Sequence, residues 1–431
     1  MIPALERQRA SSVLARLSFG PLPDGQFTEE ELASTPLDAL ATAVLERPAL
    51  PFDPPLDVDG GLGGDASAAS REALATWWVN RMRSPEAGTH ERMMWMWHTH
   101  FATSADKAPA LLCWRQLRTF HQHALGNFAT LLHEMVTDPA LLSYLDAFGS
   151  TASDPNENLG RELLELFSMG TGTYMQADVE AAAHCLAGWQ LDWEHGTTNV
   201  DPASAPRWPV TFLGTTRVFT PDQLVDRILE QPSVAPFIVS KVWAELIGGA
   251  PEREELERLS ASFRADYEIL PLVRRILDAQ AFQEPTRRRP RTALEWFVPA
   301  ISVLTGAPPT DGSQGSNAWS PWDLNNLGQM PYAPPNVNGW PASRWTSPGS
   351  LIAKGQFLSW RNLDDQPFLL DLAAAEDPVA AVLERCSISH ASAETVDALR
   401  SVYRSVGPEH LTQAAALTLR FALLSPEFLH P

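Results

Sequence analysis

The chain is 431 residues long, 44% apolar and only 19% charged, and its 52 acidic against 32 basic residues leave a formal net charge of −20. That apolar content excludes a wholly disordered chain and provides for a large buried core, while the negative field disfavours nucleic acid and anionic lipid as general partners. The cysteines, Cys113, Cys185 and Cys386, lie far apart and form no CxxC pair, so neither a disulfide framework nor a thiolate zinc site is expected.

Met1 to Gly20 reads as an amphipathic helix around Leu5, Val13, Leu14 and Leu17 rather than as an export signal. No apolar run approaches the roughly 20 residues of a membrane span, and a cytoplasmic protein is expected. Helical periodicity then recurs over 36–46, 68–83, 90–102, 110–135, 156–169, 176–190, 221–230, 233–247, 252–264, 268–281, 292–305, 376–386, 393–405 and 409–424. Strand-like alternation is scarce; Trp208 to Val218 predicts a small hairpin. The fold class is therefore mainly α: a single large multi-helical, bundle-like body over 1–431 with at most a small hairpin.

Two stretches interrupt the helices. Arg47 to Asp65 is rich in proline and glycine and predicts a long surface loop. Ala307 to Ser350 carries eight prolines and four tryptophans, Trp319, Trp322, Trp340 and Trp345. Disordered linkers are poor in aromatics, so this segment is expected to be ordered, irregular and packed on the helices, and long irregular segments tend to carry function. In this layout 1–66 holds the first helices and loop, 67–306 the helical core and 351–431 the last helices.

The polar residues most able to do chemistry lie in 156–165 and 97–101. At about 100° per residue, Leu159, Leu163, Leu166 and Phe167 share one side of a helix, and Glu157, Asn158, Arg161, Glu162 and Glu165 the other. Glu157, Arg161 and Glu165 follow one another at i, i+4, i+8. Asp154-Pro155-Asn156-Glu157 reads as a helix start with Asp154 as N-cap and Pro155 at N1, a purely structural role. His98 and His100 are separated by about 200° on a helix, so they converge on one metal only where the helix ends; His121 and His123 repeat that spacing. Glu180 and His184 have zinc-chelating spacing but suit a solvated face, Asp178 suits a helix first turn, and Lys241 in an apolar helix suits snorkelling. Arg287, Arg288, Arg289 and Arg291 read as a basic loop before a helix in preference to a local anion site.

Taken in order, Arg16-Leu17-Ser18-Phe19-Gly20, Trp97-His98-Thr99-His100-Phe101, His123-Ala124-Leu125-Gly126-Asn127-Phe128, Tyr144-Leu145-Asp146 and Asn156-Glu157-Asn158 with Arg161-Glu162-Leu163-Leu164-Glu165-Leu166 form a series. Asp178-Val179, Gly188-Trp189, Pro335-Asn336-Val337-Asn338-Gly339-Trp340 with Trp345, and Leu424-Ser425-Pro426-Glu427-Phe428 complete it. The series resembles the bacterial family called domain of unknown function 1800. The resemblance implies a helical bacterial protein with no assigned reaction, often exported, and a protein partner resembling sulfatases and alkaline phosphatases. The chain departs from that pattern in lacking an export signal and in lacking a His-Asp pair after Gly188-Trp189, where it reads Arg207-Trp208-Pro209-Val210-Thr211-Phe212.

Two readings of function stand at this point. One is an enzyme with a buried site in which Asn156, Glu157, Asn158, Arg161, Glu162 and Asp178 act in catalysis, and His98, His100 and Glu165 hold a divalent metal ion. The other is a non-catalytic scaffold or partner protein in which the same side chains form a structural salt-bridge network.

Overall fold

Helices occupy most of the chain, and the strands among the described residues form two separate antiparallel hairpins. The computed structural model describes residues 4–20, 27, 31, 34–53, 68–192, 195–284, 289–306, 319–363 and 366–430. Much of the expected 47–65 loop, the first part of the 307–350 segment, and Arg287 and Arg288 lie outside these residues. The mainly α expectation holds. The predicted hairpin pairs Val210–Phe212 with Thr215–Arg217. A second, which periodicity did not reveal, pairs Trp189–Asp192 with Thr197–Val200.

Several helices end where a local group satisfies the backbone. The 110–135 stretch divides into Ala110–His123 and Phe128–Met135 because Asn127 caps the second helix, its Oδ1 accepting the Thr130 N–H at 3.1 Å. Thr292 and Glu295 form a capping box at the start of Ala293–Thr305. Two helices sit deepest. Residues 293–304 are buried on every face, as an all-round apolar helix requires, and Trp296 donates to the Leu423 carbonyl at 2.8 Å. Thr89–His100 is also buried except at His90 and Thr99, although its buried residues include Glu91, Arg92, His98 and His100. Its expected amphipathic character is corrected: each charged group in it is met by another buried group rather than by water.

Residues 319–350 lie along this core. Trp345 is buried, Trp319 meets Phe297 edge-on at 5.3 Å between ring centroids, and Trp340 lies 5.7 Å from Trp95. Trp322 is 58% exposed and stacks on Trp360. No helix among the described residues is long and apolar enough to cross a membrane.

Candidate functional site

The 156–169 segment is not one regular helix. An α-helix runs from Glu157 to Glu162, and a π-helix from Leu163 to Ser168 follows; such wide turns often accompany functional sites. Asn156, not Asp154, is the N-cap, its Oδ1 accepting the Asn158 N–H at 3.0 Å. The amides of Asn156 and Asn158 donate to the carbonyls of Asp146 and Leu145 at 2.9 and 3.2 Å. Asp146 has φ of 54°, so the two asparagines clamp a left-handed turn. Gly160 lets the next helix, Gln176–Cys185, approach: a Cβ there would fall 2.7 Å from the Ala183 nitrogen.

The charged face of this segment looks outward. Arg161 pairs with Glu157 at 2.7 Å and both are half-exposed, and Gln176 bonds to each. Glu165 accepts from the Tyr174 hydroxyl at 2.9 Å. Partial burial and the neighbouring Glu165 raise the Glu162 carboxyl against the pull of Arg161. Asp178 closes its own helix start, accepting from Met175 N–H at 2.9 Å, and also takes the Leu213 N–H at 2.8 Å. A buried site built from these side chains is thus corrected: Asn156 is exposed, and Glu157, Asn158, Arg161, Glu162, Glu165 and Asp178 are half-buried at the surface. His184, expected on a solvated face, is instead buried, with Nδ1 3.0 Å from the Ala152 carbonyl and its ring 4.6 Å from Trp208.

His98 and His100 are both buried, with different surroundings. The Nε2 of His98 accepts the Tyr332 N–H at 3.1 Å, and the rings of Trp78, Trp95, Tyr332 and Trp340 surround it. An imidazole that accepts at Nε2 is neutral, and burial lowers its pKa to about 3. His100 Nε2 meets the Phe167 carbonyl at 3.0 Å, in the last turn of the π-helix, where carbonyls run out of helical partners. Burial, then the Lys241 charge, lowers His100 to about 3 as well. The Nε2 of His100 therefore carries the proton and its Nδ1 the lone pair, and that Nδ1 is buried without a partner. The 97–101 and 156–167 segments do meet, through a backbone carbonyl rather than through Glu157, Arg161 or Glu165. Among the described residues no group of three or more His, Cys, Asp or Glu side chains is placed to share a metal ion, so His98, His100 and Glu165 do not form the expected ligand set.

His100 does line a cavity of about 340 Å³ with Trp95, Lys241, Glu245, Arg289, Glu295, Asn338, Trp340 and Trp345. Four separate segments converge there: Thr89–His100, Val234–Leu246, the start of Ala293–Thr305, and the Asn338-Gly339-Trp340 turn. Behind it, Arg92 is wholly buried and donates to Glu295 Oε1 at 2.6 Å. Arg289 donates to the same oxygen at 2.6 Å, and Oε2 accepts the Thr292 N–H at 3.0 Å. Burial by itself would raise the Glu295 carboxyl, but Arg289 and Arg92 outweigh it and hold it well below the usual carboxylate range. Arg92 Nε also lies 2.8 Å from Glu245 Oε1, at an angle too poor for a hydrogen bond, and Arg92 Nη1 has no partner. Lys241 has no carboxylate within ion-pair distance among the described residues; its amine lies 5.2 Å from the Phe237 ring centre. Two cations, Lys241 and Arg289, and two carboxylates, Glu245 and Glu295, thus line the cavity, and both carboxylates are also met from behind by the buried Arg92.

The sequence pointed to His100, Asn338, Trp340 and Trp345 through the phrases that contain them, but not to Arg92, Lys241, Glu245, Arg289 or Glu295. Lys241 read as a snorkelling side chain and is exposed; Arg289 and Arg291 read as a loop before a helix and lie in one, with Arg291 buried and donating to the Phe428 carbonyl at 2.9 Å. One signal was available: Arg92 stands in Arg92-Met93-Met94-Trp95-Met96-Trp97, a run with no polar face on which a guanidinium reaches water. A second cavity, about 280 Å³, lies between the first helix and Ile269–Leu277 and is lined by Arg9, Asp38, Glu46, Arg274 and Asp278. Its lining also includes Val13, Leu37, Leu45 and Phe282, its charged groups include the exposed pair Arg274–Glu46, and none of the sequence phrases reaches it.

Compared with known proteins, the chain matches no curated protein and no solved structure. Residues 12–430 match the model of one family, described as protein of unknown function (DUF1800). With nearly its whole length covered and the Trp97–Phe101 and Asn336–Trp340 phrases meeting at one cavity, the chain belongs to the DUF1800 family.

Proposed function

We propose that this protein binds a small organic anion in the cavity at His100, Lys241, Arg289 and Trp340, and that the enzyme reading belongs to this cavity rather than to the 156–165 face. The observation that carries the proposal is Lys241, with no carboxylate within ion-pair distance among the described residues, beside Arg289 in a cavity lined by tryptophans. Here Glu295 is saturated by Arg289, Arg92 and a backbone N–H, while the exposed Lys241 has no carboxylate within ion-pair distance among the described residues and is open to a ligand. A cavity of about 340 Å³ falls within the roughly 300–1,000 Å³ of small-molecule sites, and Trp95, Trp340 and Trp345 offer apolar faces for the carbon skeleton.

Calorimetric titration with acetate, benzoate, phenyl phosphate and sulfate tests the reading. We expect saturable binding of at least one organic anion, weakened tenfold or more by Lys241→Met or Arg289→Gln. No saturable binding of any of them, against a chloride control, overturns it.

A further inference from the structure

Two residues that line the cavity have a buried acceptor without a hydrogen bond, and while Glu245 Oε1 lies 2.8 Å from the Arg92 cation, His100 Nδ1 is paired with no charge. His100 Nδ1 is buried, has no hydrogen-bond partner, and belongs to a side chain that lines the cavity. Its role is set by the other end of the ring: Nε2 donates to the Phe167 carbonyl at 3.0 Å, so Nδ1 of this neutral imidazole only accepts. Three polar side-chain atoms of the cavity wall have other partners. Thr99 Oγ1 donates to the Met96 carbonyl, Thr292 Oγ1 accepts the Glu295 N–H, and Gln329 Oε1 accepts the Leu294 N–H. Nothing in the cavity wall donates to His100, and leaving a buried acceptor unmet costs about 1–3 kcal/mol.

We infer that the ligand is a hydroxylated organic anion: its acidic group faces Lys241 and Arg289, its hydroxyl donates to His100 Nδ1, and its carbon skeleton lies against Trp340. This rests on the anion reading and adds the hydroxyl, a donor that plain carboxylates and phosphate monoesters lack. Sites built to hydrogen-bond a substrate hydroxyl reject analogues without it, because the buried acceptor is then left unpaired. The positioning is rigid. His100 sits at the end of a buried helix, and its ring is packed edge-on against Phe101 at 4.6 Å and near Trp97 at 5.7 Å between ring centroids.

Matched pairs test this by calorimetry: lactate against propionate, mandelate against phenylacetate, and glycerol 3-phosphate against propyl phosphate. In the wild-type protein the hydroxylated member of at least one pair should bind about tenfold tighter, the equivalent of about 1.4 kcal/mol. In His100→Phe that preference should fall to about one, and His100→Gln, which retains an acceptor, should restore part of it. Should His100→Phe not fold, ¹⁵N-histidine spectra of the wild-type protein decide, since a hydroxyl donor must move the Nδ1 resonance of His100 and a plain acid must not. Plain acids binding as tightly as hydroxylated ones would overturn this inference while leaving the anion reading intact. Binding of neither member of any pair would remove both.

Discussion

Gly339 lies against the carbonyl oxygen of Thr99: with φ at +71°, a Cβ on Gly339 would stand 2.8 Å from that oxygen. The Asn338-Gly339-Trp340 turn and the end of the Thr89–His100 helix therefore touch backbone to backbone, and the contact brings Trp340 over Trp95 and to the cavity edge. Alanine at 339 would meet both an unfavourable φ and a carbonyl that cannot move without disturbing the helix end. Gly339→Ala is expected to lower stability by about 2–4 kcal/mol in urea unfolding. A loss under about 0.5 kcal/mol, the scale of an ordinary surface change, would show the contact to be loose.

Glu295 and Glu157 both pair with arginines, with very different expected consequences. Glu295→Gln leaves Arg92 and Arg289 without their shared carboxylate in a buried network, at a cost of about 3 kcal/mol or more. Glu157→Gln breaks a half-exposed helical pair worth about 0.3–0.5 kcal/mol. The depressed Glu295 carboxyl contributes stability that is present above the ordinary carboxylate range. That stability is lost as pH falls below it, because the unfolded chain takes up the proton first. Urea unfolding of both variants at pH 7 and pH 4 checks the ranking, and the gap between Glu295→Gln and wild type should narrow at the lower pH.

His98 and His100 are held neutral, each with its pKa lowered from 6.5 to about 3 by burial. Between those values the unfolded chain binds two protons that the folded chain refuses, so stability falls as pH drops from 6.5 towards 3. Each histidine accounts for on the order of 5 kcal/mol over the full window, at about 1.36 kcal/mol per pKa unit. In histidine-labelled protein their ring resonances should stay fixed from pH 7.5 to 4.5. Titration of either ring with a midpoint near 6.5 would mean that its site is wet.

Lys354 is 2% exposed, donates to Ser350 Oγ at 3.0 Å and has its pKa lowered by burial from 10.5 to about 8. Because the folded pKa lies below the unfolded one, its penalty is complete below pH 8 and fades as pH rises towards 10.5. Lys354→Met is expected to stabilise the protein by about 2–3 kcal/mol at pH 7 and by little at pH 10. Equal melting shifts for the variant at both pH values would contradict a buried charge here.

Within the Asn156–Phe167 phrase the small residue outweighs the charged ones. Gly160→Ala places a methyl 2.7 Å from the Ala183 nitrogen and should cost about 2–3 kcal/mol by forcing apart two helices. Arg161→Ala should cost under about 0.5 kcal/mol. Thermal melts of the two variants settle the order.

Much of this protein was legible one segment at a time. Helical periodicity is a local property, so the helices, the Val210–Arg217 hairpin and the burial of Trp345 follow from neighbouring residues alone. The i, i+4 pairing of Glu157 with Arg161 is local too, and it forms as the spacing predicts. Departures begin where distant groups compete for the backbone. Asn156 displaced Asp154 as N-cap while its amide holds the Asp146 carbonyl, and the segment widened into a π-helix whose last turn offers Phe167 to His100. The cavity is wholly tertiary. Lys241 and Arg289 are unremarkable in their own segments, and only the packing of four distant segments sets them with Glu295, His100 and Trp340 around one space. Charge balance and hydrogen-bond satisfaction are sums over everything that meets in space, and a one-dimensional pattern carries no record of which groups those are.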